Sequence, residues 1–231
     1  MRDYLFELHM HTDEVSPCGK VPAREAVRLY QSLGYDGVCI TDHFGTRFFE
    51  GMGELPWDEK VRSFLKGYHE ALDDGKKLGL PVILGMEYCM PNTGDDILIY
   101  GFDEDFLYSH ENLYLLEEGE LKALAQAHDL LLIQAHPFRK QISKTYDTLV
   151  NGFEAFNGNP RHDSMNERAE KYARDFCGIL ISGSDFHQPQ DAGTGGVYLP
   201  YLPSDSFELA RLLKEIGTPE LIRNDRESRN G

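Results

Sequence analysis

Two histidines close to the amino terminus are spaced for binding a cation. His9 and His11 alternate with Leu8 and Met10, and in a β-strand alternate side chains share one face. Both imidazoles therefore point the same way from the end of one short strand. Imidazole is the commonest side-chain ligand of metals, so the pair suits a cation. A chance pair on an exposed edge strand has the same spacing, so the rest of the sequence is needed to choose between a metal-binding pair and a chance pair.

Other ionisable side chains occur where apolar runs end. The runs cover residues 38–41, 81–87, 130–134 and 178–182, and the side chains at or just after their ends are Asp42, His43, Glu87, His136, Asp185 and His187. In a parallel α/β barrel the carboxyl ends of the strands meet on one rim, where the active site lies. A mixed set of nitrogen and oxygen ligands suits Zn, Mn or Fe.

The elements that must position these side chains alternate along the chain. Strand patterns cover residues 5–8, 38–41, 81–87, 97–101, 130–134, 152–156 and 178–182, with a small extra strand at 197–199. Helical spacing of apolar residues predicts helices at 22–33, 57–78, 117–128, 165–176 and 209–216. Residues 44–56, which are rich in glycine and aromatic residues, are interpreted as an active-site loop. This alternation implies a parallel sheet covered by helices.

One domain over residues 1–223 is predicted, followed by a polar C-terminal tail over 224–231. No linker or internal repeat divides the chain. Strands of this kind can close into a barrel or form an open, doubly wound sheet, and composition does not separate the two. The placement of the polar side chains at strand ends favours the barrel.

The formal net charge of −16 argues against binding to long nucleic acid, because such proteins usually carry basic patches. Cys18, Cys39, Cys89 and Cys177 form no Cys-x-x-Cys motif, and reduced thiols suit a cytoplasmic chain. No apolar segment approaches the roughly 20 residues that span a membrane, and no signal-peptide core is present. We therefore expect a soluble, cytoplasmic protein without a membrane partner.

Five motifs in order resemble the PHP superfamily, named for polymerase and histidinol phosphatase. They are His9-x-His11, Thr41-Asp42-His43, Gly85-Met86-Glu87, Ala135-His136-Pro137 and Gly183-Ser184-Asp185-Phe186-His187. Any one of them is weak, but five in order are a strong signal. The resemblance implies an α/β fold, a distorted (β/α)7 TIM-like barrel in a single domain. It also implies two or three divalent metal ions (Zn, Mn or Fe) and hydrolysis of phosphate esters.

The resemblance also implies a division of the metal ligands. His9, His11, Glu87 and Asp185 would hold one ion, Glu87 would bridge to a second ion that His136 also binds, and His43 and His187 would hold a third. A carboxylate suits the bridging position because it has two oxygens. The chain departs from the family pattern in two places. Asp96 stands where the family often has a histidine ligand, and Glu14 or Cys18 would have to complete the third site, with Glu14 preferred.

Substrate would be bound and protonated by neighbouring side chains. His187 or His43 could act catalytically by donating a proton to the leaving group. Arg139 could bind a phosphate oxygen through its planar guanidinium, with Arg161 and His162 as further substrate-binding candidates. Solvated or ion-paired surface positions are the alternative for both arginines.

The expected function is a metal-dependent phosphoesterase that hydrolyses a small phosphorylated metabolite or a nucleotide by metal-activated water. One alternative is an amidohydrolase-like metal hydrolase that cleaves C–N or C–O bonds. It shares the His-x-His opening, but no strand-end lysine is available for carbamylation. A second alternative is a non-catalytic, metal-stabilised binding module, which the nearly complete ligand set disfavours.

Overall fold

The computed structural model describes residues 3–224, so all but the first residue of the predicted tail lies outside the described residues. Between residues 3 and 224 the chain is a mixed α/β fold of eleven strands and eight α-helices. The strands are β1 (Tyr4–Glu7), β2 (Gly37–Ile40), β3 (His43–Phe44), β4 (Val82–Leu84), β5 (Met86–Cys89), β6 (Asp96–Tyr100), β7 (Leu131–Gln134), β8 (Gly152–Asn157), β9 (Ile179–Gly183), β10 (Val197–Leu199) and β11 (Glu220–Leu221). The helices are α1 (Ala23–Ser32), α2 (Thr46–Glu50), α3 (Trp57–Phe64), α4 (Lys66–Leu78), α5 (Glu104–Ser109), α6 (Glu118–His128), α7 (Asn166–Phe176) and α8 (Ser206–Ile216).

The strands form two sheets with both parallel and antiparallel pairs. One has the order β11-β10-β1-β2-β4, and the other has the order β3-β5-β6-β7-β8-β9. The prediction of a purely parallel sheet is wrong at β6, which is antiparallel to both β5 and β7. The connection from Cys89 to Asp96 is too short for a parallel crossover, which needs a dozen or more residues. As a consequence β6 begins at the rim where its neighbours end, and Asp96 lies on that rim.

The predicted strand over 81–87 is two strands in different sheets. Gly85 separates β4 from β5, and its N–H donates to the carbonyl of Ile40 at 2.9 Å. A Cβ atom on Gly85 would lie 2.9 Å from the sulfur of Cys39, so this close approach requires glycine. The sheets also meet where Met10 pairs with Phe186 in a parallel bridge. The His11 N–H donates to the Phe186 carbonyl there at 3.0 Å.

Most predicted helices are present, with two corrections. The helix predicted over 57–78 is divided into α3 and α4 at Leu65, whose ψ of −5° departs from the helical value of about −42°. The loop predicted over 44–56 contains β3 and α2. The apolar side chain of Phe49 anchors α2, because it stacks on Trp57 and Tyr114 with ring centroids 5.3 and 4.7 Å apart.

The core covers both faces of the central strands. On β6, Leu98 and Tyr100 pack in one buried cluster with Phe6, and Ile97 and Ile99 pack in another that includes residues of the helices. A strand buried on both faces is typical of a sheet covered by helices. Between residues 3 and 224 no helix combines the length and apolar character that crossing a bilayer requires.

Candidate metal centre

The predicted ligands converge at one rim of the two sheets. His9 and His11 follow β1, Glu87 lies on β5, His136 follows β7, and Asp185 follows β9. All five are at most 3 % exposed. Because burying ionisable groups is costly unless they are paired or bind metal, this concentration needs a specific explanation.

Glu87 stands at the centre of the group. Its Oε1 lies 3.1 Å from Nε2 of His9 and 3.2 Å from Nε2 of His136. Its Oε2 lies 2.7 Å from Nδ1 of His43 and 3.4 Å from Nε2 of His11. Each carboxylate oxygen therefore faces two imidazoles, which is the arrangement that a bridging carboxylate would have.

Several of these buried atoms lack a hydrogen bond. They are Nε2 of His9, Nε2 of His11, Nδ1 of His136 and Oε2 of Glu87, whose 2.7 Å contact with Nδ1 of His43 lacks hydrogen-bond geometry. More than nine in ten buried polar groups in folded proteins have a partner, so four such atoms in one place are unusual. Imidazole and carboxylate atoms are the ligands that Zn, Mn and Fe accept. The donor set therefore fits a cluster of divalent cations.

The ligand atoms fall into four overlapping groups within the described residues. In each group the atoms lie within 4.8 Å of one another, and the groups are His9, His11 and Asp185; His9, Glu87 and His136; His11, His43 and His187; and His43, Cys89 and Asp96. The first three groups contain all seven residues that the family resemblance assigns to three ions, in partly different combinations, and the number of ions stays a prediction. The fourth includes Cys89, which the sequence reasoning did not propose.

Cys89 joins the site through strand pairing. It lies directly opposite Asp96 in the β5–β6 hairpin, and its sulfur is 3.7 Å from Nδ1 of His43. Asp96 Oδ2 is 3.7 Å from Nε2 of His136. Burial and the charge of Glu87 raise the pKa of Asp96 to about 6. The signal that could have revealed Cys89 is the short connection to Asp96, which forces an antiparallel hairpin and brings the two residues together.

Outer hydrogen bonds fix the histidine rings. Nδ1 of His9 contacts Oε1 of Glu154 at 2.9 Å, and Nδ1 of His11 contacts Oγ of Ser16 at 3.2 Å. In both residues the free Nε2 then faces the centre. Metal-binding histidines commonly use their second nitrogen in this way. Glu154 was missed, although a carboxylate in the middle of the apolar run 152–156 is itself a signal.

The loop after β1 is tied to the strand that carries His43. Asp42 accepts hydrogen bonds from the Thr12 backbone N–H, the Thr12 hydroxyl and the Ser16 hydroxyl, each at 2.7 Å. The hydroxyl of Ser16 also accepts from the His43 N–H at 3.1 Å. Asp42 therefore positions the loop and does not face the cluster.

The same loop carries the two candidates for completing the third ion's site, Glu14 and Cys18. Glu14 accepts from the Ala23 N–H at 3.0 Å, so it caps the start of α1 and belongs to none of the four groups. The sulfur of Cys18 lies 3.1 Å from Nε2 of His187. Burial raises the pKa of the Cys18 thiol, but His187 and His43 outweigh it and lower the pKa to about 6. Cys18 therefore lies beside His187 and Glu14 beside α1, but neither belongs to one of the four groups, so the residue that completes the third site stays a prediction.

Backbone strain occurs at two predicted ligands. His136 has φ of +29° and Asp185 has φ of +51°, in a region that residues other than glycine seldom adopt. His136 also precedes a proline, which disfavours helical backbone angles at that position. Such strain is commonly found at functional sites. Here it turns both side chains toward the cluster.

The charges of the cluster balance one another. Burial lowers the pKa of His9, but the carboxylates of Glu154 and Glu87 raise it well above its usual value. Burial raises the pKa of Glu87, but the charges of His9 and His43 hold it well below its usual value. The carboxylate of Glu87 likewise raises the pKa of His43 against the effect of burial, so without cations protons on His9 and His43 would neutralise carboxylates of the cluster. Cation binding at this site must displace protons, so its affinity should rise with pH.

The three predicted substrate residues line one cavity of about 390 Å³ beside the cluster. Arg139 is nearly buried, and its Nη2 donates to Asp185 Oδ2 and to Asn157 Oδ1, each at 2.8 Å. Its Nε has no hydrogen bond. Arg161 pairs with Asp191, and His162 is exposed. Arg139 is thus ion-paired but buried, so it does not occupy the surface position of the sequence alternative, and it borders the cavity.

Most of the chain is similar to a known protein family. The family model described as the PHP domain matches residues 7–194. A curated relative of similar sequence is not found.

Solved structures share the fold at low sequence identity. PsfC from Pseudomonas syringae PB-5123 has a TM-score of 0.68 and 12 % identity, over 99 % of this chain and 95 % of that chain. A two-domain protein from Bacteroides vulgatus ATCC 8482 contains a predicted PHP-like metal-dependent phosphoesterase. It has a TM-score of 0.63 and 15 % identity, over 94 % of this chain and 64 % of that chain. An amidohydrolase from Chromobacterium violaceum, with bound sulfate and no metal, has a TM-score of 0.58 and 15 % identity, over 96 % of this chain and 99 % of that chain.

Proposed function

The chain belongs to the PHP domain family, and from this premise we propose that it is a metal-dependent phosphoesterase acting on a small phosphorylated metabolite or nucleotide. The observation that carries the proposal is Glu87, whose two oxygens face four imidazoles inside a buried cluster with unpartnered ligand atoms. The Bacteroides vulgatus protein, described as containing a PHP-like metal-dependent phosphoesterase, supports the reaction class.

Three positions for Zn, Mn or Fe are part of the proposal. His9, His11, Asp185 and Glu87 would hold the first cation, and Glu87 with His136 and Asp96 would hold the second. His43 and His187, with Cys18, would hold the third. When bound, such cations neutralise phosphate oxygens and lower the pKa of water to about 7.

The chain's own residues then bind the ester and manage protons. Water adds to phosphorus, the P–O bond to the alcohol breaks, and the alcohol oxygen must receive a proton. Where they do not hold the third cation, His43 and His187 are the candidate donors, because both border the cavity, where a leaving oxygen would be within reach. Arg139 borders the same cavity and holds Asp185 in place through its ion pair, so it orients a ligand as well as attracting phosphate.

The finer fold and the cellular setting belong to the same proposal. The bridge between Met10 and Phe186 supports a distorted (β/α)7 barrel, since it links the end of β1 to the segment after β9. The four cysteines are free, which supports a reducing, cytoplasmic location. The proposed partner is a small phosphorylated substrate, without long nucleic acid or membrane.

An amidohydrolase-like activity on C–N or C–O bonds is the second candidate. The structural similarity to the Chromobacterium violaceum amidohydrolase favours it. Against it, no lysine among the described residues lies in a strand or directly after one, where it could be carbamylated to bridge two cations.

A phosphatase screen over a metabolite library, with Mn and Zn supplied in turn, tests the proposal. We expect bound metal by elemental analysis and release of phosphate that chelation abolishes. The matched variants are Glu87→Gln and Glu215→Gln, because Glu215 is exposed on α8 far along the chain from the ligand motifs. Turnover of C–N substrates alone would establish the second candidate, and bound metal without any turnover would favour a binding module.

A further inference from the structure

We infer that the substrate carries a flat aromatic or heterocyclic ring on its alcohol part, and that this ring binds in a second cavity beside the candidate metal centre. The inference rests on the proposed function, because it concerns the substrate class of the same site. It goes further in assigning a binding site for the leaving group.

Two cavities meet at the rim. Each has a volume of about 390 Å³, within the range of about 300–1,000 Å³ that is typical of small-molecule sites. Both are lined by Cys18 and His43. One ligand could therefore occupy both cavities by passing these two side chains.

The linings of the two cavities differ in chemistry. The first contains the carboxylates of the cluster together with Lys20, Arg139 and Arg161, which suits a phosphate group. The second contains Phe48, Met90 and two prolines, and no carboxylate. The ester's phosphate would thus lie in the first cavity, and its organic part would extend into the second.

The second cavity favours a ring over a polyhydroxylated chain. Sugar hydroxyls that enter an apolar lining lose hydrogen bonds to water without replacement, which is unfavourable. A flat ring instead buries apolar area and can contact the half-buried face of Phe48. The side chain of Arg47 at the same cavity makes no hydrogen bond or ion pair within residues 3–224, so its guanidinium is available to stack on a ring.

The wall of the cavity is held in place before any ligand binds. The ring of Phe48 packs edge-to-face on Phe49 and Phe64, with centroids 5.1 and 6.0 Å apart. Met90 is fixed at its backbone, where its N–H donates to the Asp95 carbonyl at 2.8 Å. A preformed wall binds a ring at low cost in conformational entropy.

Binding of non-hydrolysable phosphonates tests the inference independently of turnover. Calorimetric titration of the purified, metal-loaded protein should give tighter binding of phenylphosphonate than of methylphosphonate, by about tenfold. Phe48→Ala should remove most of this difference, since ring stacking is worth about 1–3 kcal/mol per base in nucleic-acid sites, or about 5–150-fold. Met90→Ala provides a second variant if Phe48→Ala folds poorly, and Phe207→Ala, at an exposed position outside this cavity, should keep the difference.

Turnover gives a second, matched measurement. Adenosine 5′-monophosphate and ribose 5-phosphate share the same primary alcohol and differ in the base, so a higher kcat/KM for the nucleotide, lost in Phe48→Ala, supports the inference. Equal binding of the two phosphonates by the wild-type protein would overturn it, as would an equal loss for both in Phe48→Ala. Ring-dependent phosphonate binding without phosphate release would support the second cavity and reject the phosphoesterase proposal.

Discussion

Two buried carboxylates in this protein have opposite surroundings. Asp95 is fully buried, and its oxygens accept hydrogen bonds from the Ser143 N–H at 2.8 Å, the Tyr146 hydroxyl at 2.9 Å and the Ser143 hydroxyl. Glu87 is equally buried, but it faces imidazoles, and one of its oxygens has no hydrogen bond. Burial alone therefore does not distinguish a structural carboxylate from a functional one.

The surroundings explain the difference in role. The neutral donors around Asp95 satisfy its lone pairs and join the β5–β6 connection to the segment after His136. The groups around Glu87 are themselves potential ligands, and they leave lone pairs pointing at a common centre. A carboxylate whose partners are satisfied stabilises the fold, whereas one with unpartnered neighbours requires a further group such as a cation.

The largest difference is expected when each carboxylate becomes its amide. Glu87→Gln should lower bound metal and should reduce turnover by at least about 100-fold, because even residues that only orient ligands cost about 10–100-fold in metal affinity or activity. Asp95→Asn should leave metal content within about twofold of the wild type, because the Asp95 side chain bonds Ser143 and Tyr146 and no predicted ligand. Elemental analysis and kcat/KM for the best substrate measure both effects. Equal metal content in the two variants would contradict the distinction between these carboxylates.

Metal removal should separate the same two variants by thermal stability. A cation at about 100 times its Kd stabilises the folded state by about 2.7 kcal/mol, which corresponds to a rise in Tm of about 5–10 °C for a chain of this size. Chelation should therefore lower the Tm of the wild type and of Asp95→Asn by similar amounts. Glu87→Gln should show little change on chelation. A chelator-sensitive Tm in Glu87→Gln would show that Glu87 is not needed to hold the cations.

Glu154 lies between these two extremes, because it is buried, satisfied and in contact with a predicted ligand. It contacts Nδ1 of His9 and accepts from the His136 N–H at 2.9 Å and from the Asn157 amide at 2.8 Å. Glu154→Gln should weaken metal affinity by about 10–100-fold while the protein remains folded. Competition with a coloured chelator measures the affinity, and circular dichroism checks the fold. An unchanged affinity would make Glu154 a structural carboxylate like Asp95.

The sequence predicted the polar rim better than the path of the backbone. The strand-end pattern found His9, His11, Glu87 and Asp185, because parallel strands bring their carboxyl ends together whatever the details of the sheet. It missed the reversal of β6, since residues 97–100 are apolar on both faces and the same pattern fits either direction. It also missed Cys89 and Glu154, which enter the site through strand register and through contacts between residues more than 140 positions apart.

The loop after β1 shows the same limit in a local form. The sequence alone offers both Glu14 and Cys18 as ligands, and the suitability of carboxylates for a hydrolytic site favoured Glu14. The start of α1 supplies an unpaired N–H at Ala23, and Glu14 caps it. That contact depends on how the loop folds back, which the spacing of residues does not specify.

Asp95→Asn is expected to have a smaller effect, limited to stability. The amide keeps one acceptor for the Ser143 N–H but places N–H donors near the hydroxyls, so we expect a loss of about 1–2 kcal/mol in the free energy of unfolding. Urea denaturation of the chelated protein measures it, with Glu215→Gln as the exposed control. A loss above about 4 kcal/mol would indicate a role beyond hydrogen bonding.

The smallest expected effect concerns Cys18, which would change the third cation position without disturbing Glu87. Cobalt titration of the wild type should give a thiolate-to-metal charge-transfer absorption, because Cys18 lies beside His187. Cys18→Ser should lose this absorption, while Cys177→Ser, at an exposed position, should retain it.

Alkylation of Cys18 gives a second measurement. In the chelated protein the pKa of about 6 means that the thiolate is populated above that pH. Alkylation of Cys18 by iodoacetamide should therefore rise through pH 6, and added Zn should suppress it. An absorption that survives in Cys18→Ser but disappears in Cys89→Ser would assign the thiolate to the His43, Cys89 and Asp96 group instead, and alkylation indifferent to Zn would remove Cys18 from the centre.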